Sequence, residues 1–169
     1  MKNLWAPWRM TYVTRSDKKP AGGQCIFCVD QSQTVSDKER LILYVGRLSM
    51  VMMNRYPYSN GHLLIAPRRH LGGLSDLSPE EMGDVLGLVS RSVEILGQEM
   101  SPDGFNVGLN LGEDAGAGFE DHLHFHIVPR WRGDTNFMPV FADVRVMSEH
   151  LEALFDRLAE RFSDISGEE

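Results

Sequence analysis

The segment His122-Leu123-His124-Phe125-His126-Ile127-Val128 holds three of the chain's six histidines. Its histidines alternate with apolar residues, and alternation at a period of two is typical of a half-buried β-strand. Because residues two apart on a strand point to the same side, we expect three imidazoles on one exposed face and the apolar residues in a core. Histidine changes its charge near neutral pH, so this row of rings indicates a functional site.

The composition fits one domain with a sizeable core, since the chain has 169 residues. A formal net charge of −7 argues against a nucleic-acid partner, which selects basic surfaces. The sequence has neither a long apolar run nor a signal-like start, so we expect a cytoplasmic protein that makes no membrane contact. Cys25 and Cys28 form a C-x-x-C, which in a reducing compartment indicates metal or redox chemistry.

Hydrophobic patterns predict an α+β fold built on an antiparallel sheet. Four strands are predicted besides the histidine strand, at 41–45, 50–53, 62–66 and 104–110. Ser78 and Glu81 form a predicted capping box that begins a long amphipathic helix ending near 97–100. Ser148 is predicted to begin a C-terminal helix.

The histidine strand has three interpretations. Its rings could bind one zinc together, one neutral imidazole could act as a nucleophile, or the row could be a polar strip without activity. A passive strip is disfavoured because each ring brings a donor and an acceptor that need partners. The C-x-x-C is a separate candidate metal site, and a loop could bring His70 to it. His62 is interpreted as structural, and His150 as a surface residue.

The loop before the histidines favours a phosphate ester as ligand. It combines the amide of Asn110 with Gly112, Gly116 and Gly118, whose backbone can approach a ligand closely. Asn54, at the end of the second predicted strand, could bind a ribose hydroxyl. The arrangement therefore favours a phosphate ester over a metal ion held by the histidine row.

The segment 122–128 resembles the His-x-His-x-His-x-x signature of the histidine-triad family, with an apolar residue at each x. Residues 54–67, 110–116 and 128–130 resemble the family's upstream strand pair, its phosphate loop and the exit from the signature. Residues 4–10 and 129–137 are similar to a bacterial branch related to diadenosine tetraphosphate phosphorylases. We expect an N-terminal arm at 1–24, a catalytic domain at 25–138 and a C-terminal extension at 139–169.

The resemblance implies a nucleotidyl hydrolase or transferase that acts on adenosine nucleotides, usually as a homodimer with an extended sheet. His124 would attack the α-phosphorus to give a nucleotidyl-histidine, which water or phosphate then resolves. His126 would bind phosphate oxygens, Asn110 with backbone N–H groups would bind the charge that develops at phosphorus, and Asn54 would hold the ribose. The alternatives are a non-catalytic purine-nucleotide-binding protein and a metallohydrolase with zinc on the histidine strand.

The resemblance also implies a structural zinc site. Some family members hold zinc with a C-x-x-C, a histidine after the proline-containing strand and the first triad histidine. The matching residues here are Cys25, Cys28, His70 and His122. All four positions would be filled by protein, which leaves His124 free of metal.

Glu120 and Asp121 stand where many hydrolytic members carry Gln, Ser or Thr near the phosphates. Carboxylates beside a polyphosphate would repel it, so the leaving group stays open between a dinucleoside polyphosphate, a nucleoside phosphoramidate and an aminoacyl adenylate. Alternatively, Gly116 and Gly118 contact the ligand and the carboxylates face solvent.

Overall fold

The computed structural model describes residues 25–29, 36–134 and 149–167. The predicted arm at 1–24 and the predicted helix start at Ser148 lie outside these residues. Within them the strands are β1 (Ile42–Val45), β2 (Ser49–Met53), β3 (Leu63–Pro67), β4 (Gly104–Leu109) and β5 (Phe125–Arg130), and the α-helices are α1 (Pro79–Met100) and α2 (Leu151–Ser163). No helix in the described ranges is long and apolar enough to cross a bilayer.

The described strands form one antiparallel sheet in the order β1-β2-β3-β5-β4. Among the described strands β5 comes last in the sequence, yet it lies between β3 and β4. The predicted α+β class, with its antiparallel sheet, long amphipathic helix and C-terminal helix, is confirmed.

The predicted start of the histidine strand at His122 is wrong, because β5 begins only at Phe125. The backbone N–H of Leu123 donates to the carbonyl of Leu71, in the loop after β3, at 2.7 Å. His122 and His124 therefore precede the strand ladder, and the backbone between them is hydrogen-bonded to the loop after β3 instead of to a neighbouring strand. Alternation of side chains alone does not report where the backbone hydrogen bonds go.

Helix α1 begins where the sequence predicts, and its first turn explains why. The Ser78 hydroxyl accepts from the N–H of Glu81 at 3.2 Å, and the Glu81 carboxylate accepts from the N–H of Ser78 at 2.8 Å. This reciprocal pair satisfies two N–H groups that the helix itself cannot. The helix ends at Met100, followed by Ser101 in the left-handed conformation with φ of 46°.

The two faces of the sheet are covered differently. One face packs against α1 and α2 in a large apolar core that includes Val51, Ile65 and Ile127. The other face carries a smaller core of Phe27, Ile42, Met50, Met52, Leu64 and Ala66 with partly buried neighbours. Phe27 comes from the C-x-x-C segment, so that segment covers the face of the sheet opposite the helices.

Candidate active site

The three histidines of the signature lie in a row, but they are not on an exposed face. His122 is fully buried, His124 is 5% exposed, and His126 is partly buried. The predicted exposure is wrong because the C-x-x-C segment packs over the rings, with the Phe27 ring 4.7 Å from that of His124. The His124 and His126 ring centroids are 5.0 Å apart, so the row itself is present.

A cavity of about 810 Å³ lies beside His124 and His126. Its walls include Ile26, Met52, Leu64 and Phe119, and its polar groups include Asn54 and the two histidines. A mostly apolar cleft with a few convergent polar groups is the usual form of a small-molecule site. The cavity is therefore the candidate binding site for a ligand that reacts with these rings.

The hydrogen bonds of His124 fix which of its nitrogens carries the proton. Its Nδ1 lies 2.8 Å from the carbonyl oxygen of His122, which can only accept, so Nδ1 is the donor. Burial lowers the pKa of His124, against the opposing effect of that hydrogen bond. The ring is therefore neutral near pH 7, and its Nε2 carries a lone pair suited to nucleophilic attack.

His62 fixes the proton of His126 in the same way. His62 Nδ1 accepts from the backbone N–H of Tyr58 at 3.1 Å and faces the amide nitrogen of Asn54 at 3.3 Å. Its Nε2–H must then donate to Nδ1 of His126, 2.9 Å away. This leaves the proton of His126 on Nε2.

The Nε2–H of His126 is a buried donor without a partner among the described residues. Burial lowers the pKa of this ring to about 4, with a smaller contribution from His124, so the donor belongs to a neutral ring. Leaving such a group unpaired costs about 1–3 kcal/mol, which a ligand oxygen would recover. The site therefore places a neutral imidazole with an unprotonated Nε2 beside a donor that requires an acceptor.

The sequence pattern does not predict the contact between His62 and His126, because it indicates only a structural role for His62. His62 precedes β3, and Leu64 two residues later is paired with His126 across the ladder. The contact could have been predicted if β3 and β5 were known to be neighbours, but the order of strands in a sheet is a tertiary property. His150 lies at the N-cap position of α2 without a side-chain capping hydrogen bond, and it is exposed, as expected.

Asn54 lines the cavity and also contacts His62. Its Oδ1 accepts from the backbone N–H of Tyr56 at 2.9 Å, which sets the orientation of the amide. That orientation turns its Nδ2 donor toward His62. Asn54 therefore contacts the cavity and the proton-fixing histidine together.

The glycine-rich loop borders the cavity through only part of the predicted set. Gly116 and Gly118 line it, whereas Gly112 and Asn110 are not among the lining residues. Asn110 instead donates from Nδ2 to the carbonyl of Gly116 at 3.3 Å, so it orders the loop. Gly112 and Gly116 have φ of 82° and 90°, a backbone conformation that glycine adopts at no steric cost.

The acidic residues that follow the glycines do not line the cavity. Glu120 and Asp121 are exposed, and neither lines the cavity. Of the two arrangements considered from the sequence, the structure has the one with glycines at the cavity and carboxylates in solvent. The loop therefore places no negative charge against a phosphate group.

Cys25, Cys28, His70 and His122 converge at the end of the histidine row. One ligand atom from each residue lies within 4.8 Å of the others. The Cys25 Sγ to His122 Nδ1 and Cys28 Sγ to His70 Nδ1 distances are both 3.3 Å, and Cys28 Sγ lies 3.8 Å from His122 Nδ1. These separations are close to the edge of about 3.6 Å that zinc bond lengths give for a tetrahedron.

The donor chemistry of the cluster fits zinc. His122 Nε2 donates to the carbonyl of Pro67 at 2.8 Å, which leaves Nδ1 unprotonated toward the two sulfurs. Burial lowers the pKa of His122 to about 4, so the ring is neutral, as a ligand must be. The three signature histidines point to different partners, and they do not converge on one ion.

Comparison with known proteins agrees with this geometry. A family model for the HIT domain matches residues 35–133. The chain is 35% identical over 156 residues to a protein of Mycobacterium tuberculosis named AP-4-A phosphorylase, a match that covers 89% of this chain and 79% of that relative. It is 29% identical over 137 residues to a protein of Schizosaccharomyces pombe named adenosine 5'-monophosphoramidase hnt1, covering 81% and 97% of the two chains.

A solved structure also shares the fold. The Zn-bound histidine triad family protein from Mycobacterium smegmatis superposes with a TM-score of 0.59 at 22% identity, covering 76% of this chain and 88% of that one. The prediction of an enzyme of this family agrees with the enzyme names of the two relatives. Since the HIT-domain model spans the sheet, α1 and the buried histidine row, and a relative 35% identical covers 89% of the chain, the chain belongs to the histidine-triad (HIT-domain) family.

Proposed function

We propose that the protein transfers a nucleotidyl group from an adenosine nucleotide to Nε2 of His124 and then to water or inorganic phosphate. The observation that carries this proposal is the hydrogen bond from His124 Nδ1 to the carbonyl of His122, which leaves Nε2 unprotonated on a ring that lines the cavity. The names of the relatives support an adenosine nucleotide, with a dinucleoside polyphosphate as the leading substrate.

In the first half-reaction the lone pair of His124 Nε2 forms a bond to the α-phosphorus. The bond from that phosphorus to the bridging oxygen breaks, and the leaving group departs with the electron pair. The His124 ring gains a positive charge in this step, and the His122 carbonyl that accepts from Nδ1 stabilises it. A nucleotidyl-histidine and a free nucleotide or polyphosphate are the products.

In the second half-reaction an oxygen of water or phosphate attacks the same phosphorus. The bond between Nε2 and phosphorus breaks, and its electron pair returns to Nε2. With water, AMP forms and one proton passes to solvent; with inorganic phosphate, ADP forms without any proton release.

The other cavity groups bind the nucleotide in this proposal. His126 donates from Nε2 to a phosphate oxygen, since that donor is buried and unpaired among the described residues. Asn54 binds the ribose, and Gly116 and Gly118 contact phosphate through their backbone. Asn110 and Gly112 act indirectly, because they hold the loop in its conformation.

Zinc in this protein is proposed to be structural, held by Cys25, Cys28, His70 and His122. Bound there, it would neutralise the thiolates and cross-link the C-x-x-C segment to the start of the histidine row. Metal analysis of the purified protein tests this directly. We expect about one zinc per chain, loss of that zinc in Cys25→Ser, and a chelator effect on melting temperature.

The test of the function is to trap the intermediate. The protein is mixed with diadenosine tetraphosphate labelled at an α-phosphorus and quenched in alkali, and acid-labile label on the protein is measured. We expect label in the wild type and in His150→Gln, whose histidine is exposed at the start of α2. His124→Gly must carry none, and turnover retained by that variant would remove His124 as the nucleophile.

The acceptor is read from the products. Formation of ADP that depends on added phosphate indicates a phosphorylase, and formation of AMP indicates a hydrolase. Tight AMP binding without turnover of any polyphosphate or phosphoramidate would favour the non-catalytic nucleotide-binding alternative. Loss of turnover on chelation without a change in melting temperature would favour the metallohydrolase, which the diverging histidines do not support.

The edge strand β4 is the proposed surface of a homodimer. On its outer side it pairs with no other described strand, and Asn106, Val107 and Gly108 are exposed there. An exposed edge with an apolar residue is suited to pairing with a second copy. Light scattering should report a dimer that Val107→Lys converts to monomer, whereas Leu86→Lys, at a similarly exposed position on α1, should leave the mass unchanged.

Two further expectations complete the proposal. A cytoplasmic location suits a cysteine pair that must stay reduced to bind zinc. The division into an arm at 1–24, a catalytic domain at 25–138 and a C-terminal extension at 139–169 remains a prediction, and limited proteolysis would test it.

A further inference from the structure

The C-x-x-C segment is a shared wall of the metal cluster and the cavity. Cys25 and Cys28 supply two ligand atoms of the cluster, while Ile26 between them lines the cavity. The N–H of Cys28 donates to the carbonyl of Cys25 at 3.2 Å, which closes the segment into a tight turn. A change in the separation of the two sulfurs therefore has to move the residues between them.

Phe27, also between the cysteines, contacts the nucleophile directly. Its side chain is fully buried, and its ring is stacked on the His124 imidazole at 4.7 Å with an interplanar angle of 26°. It also contacts the His122 ring at 5.2 Å and the Phe119 ring, edge to face, at 5.8 Å. The ring therefore bridges a metal-ligand histidine and the histidine that would attack phosphorus.

Arg40 connects the same turn to the sheet. Its Nη2 donates to the carbonyls of Ile26 and Cys28 at 2.9 and 3.0 Å, and its side chain lines the cavity. These two bonds hold the turn through its backbone carbonyls. The position of Phe27 is thus set by the sulfurs and by the guanidinium.

We propose that Phe27 is a positioning residue through which the C-x-x-C turn fixes the His124 ring, so that metal occupancy and nucleotide binding are linked. This inference rests on the proposed function. When the sulfurs and His122 are held together, the Phe27 ring is pressed against His124 and Ile26 against the cavity. When they separate, both contacts loosen. Linkage of this kind is reciprocal, so zinc and nucleotide must change each other's affinity by the same factor.

The test measures binding without turnover. AMP affinity is determined by calorimetry for wild-type protein with zinc bound and after zinc removal, and zinc affinity is determined with and without AMP. We expect the two ratios to be equal and in the range of about 5 to 150, the usual size of such coupling. In Phe27→Leu both ratios should fall towards one.

A matched core variant separates positioning from packing. Phe162→Leu also removes a fully buried ring, but from α2 on the other face of the sheet. It should lower the melting temperature and keep both the coupling ratio and kcat. Phe27→Leu should lower kcat about 2- to 13-fold, the value of one aromatic contact, and should change the KM for substrate less.

Arg40→Gln is a second variant for the case in which zinc-free Phe27→Leu does not fold. It removes the two hydrogen bonds to the turn and leaves the buried Phe27 ring in place. It should reduce the coupling ratio in the same direction. A wild-type ratio of one, or a ratio that survives in Phe27→Leu and in Arg40→Gln, overturns the inference. Absence of AMP binding in all forms overturns the proposed function as well, whereas binding without coupling overturns only the role of Phe27.

Discussion

Replacing His62 by leucine removes the partner that fixes the proton of His126, while His62 itself is not proposed to contact substrate. In the folded protein the Nε2–H of His62 donates to Nδ1 of His126 at 2.9 Å. Without that donor, the His126 proton can move to Nδ1. Its Nε2 would then face a phosphate oxygen as an acceptor, and the two would repel.

The size of the effect follows from the lost hydrogen bond. A bond between two neutral groups contributes about 0.5–1.5 kcal/mol, which corresponds to a loss of about 2- to 13-fold in kcat/KM. His126→Ala removes the donor itself, and a bond to a charged phosphate is worth about 1.5–3 kcal/mol, or about 13- to 160-fold. The two effects have the same origin, so they cannot add.

A double-mutant cycle on diadenosine tetraphosphate measures this. We expect His62→Leu to lower kcat/KM in the wild-type background and by less than about twofold in the His126→Ala background. His62 is 1% exposed, so melting temperatures are recorded for all four proteins to show that each is folded at the assay temperature. His150→Gln, an exposed histidine, is the control and should retain full kcat/KM.

Equal losses from His62→Leu in both backgrounds would refute the argument. Additivity would mean that His62 acts on catalysis through a route other than the His126 proton. No loss in the wild-type background would mean that the tautomer of His126 is fixed by something else.

Two further predictions concern stability. Hydrogen bonds from Arg69 hold the pKa of Glu81 at about 2, against an ordinary 4.5, so the stability it contributes is present above pH 4.5 and is lost as pH falls towards 2. The full pKa shift of Glu81 corresponds to about 3 kcal/mol of stability. Because Arg69 is half exposed, solvent screening reduces this to about 1–2 kcal/mol. Urea unfolding of the wild type should show that loss between pH ~5 and ~2.5, and Glu81→Gln should not. Gly61→Ala should lower the free energy of unfolding by about 1–2 kcal/mol, since φ is 74° and the added Cβ would lie 2.6 Å from Sδ of Met100. Gly87→Ala, in open space on α1, should raise the free energy of unfolding by about 0.5–1 kcal/mol. A Gly61→Ala protein more stable than Gly87→Ala would contradict both expectations.

The sequence by itself determined the local structure and the chemical repertoire. The capping box at Ser78, the hairpin of β1 and β2 and the stripe of α1 follow from interactions within a few residues, which is why they could be predicted. The metal set could be named from residue types because the resemblance supplied its members. The structure then brings those four residues within reach of one ion.

Only the tertiary structure decided which nitrogen carries the proton of His122 and of His126, whereas that of His124 is fixed by a carbonyl two residues away. The tautomer of His126 depends on His62, 64 positions away in the sequence, and that of His122 depends on the carbonyl of Pro67, 55 positions away. The order of strands in the sheet and the packing of Phe27 over the row set these contacts, and with them the burial that keeps the rings neutral. A linear pattern can show that three histidines share a side, but the proton positions of His122 and His126 depend on partners across the fold, which no local pattern contains.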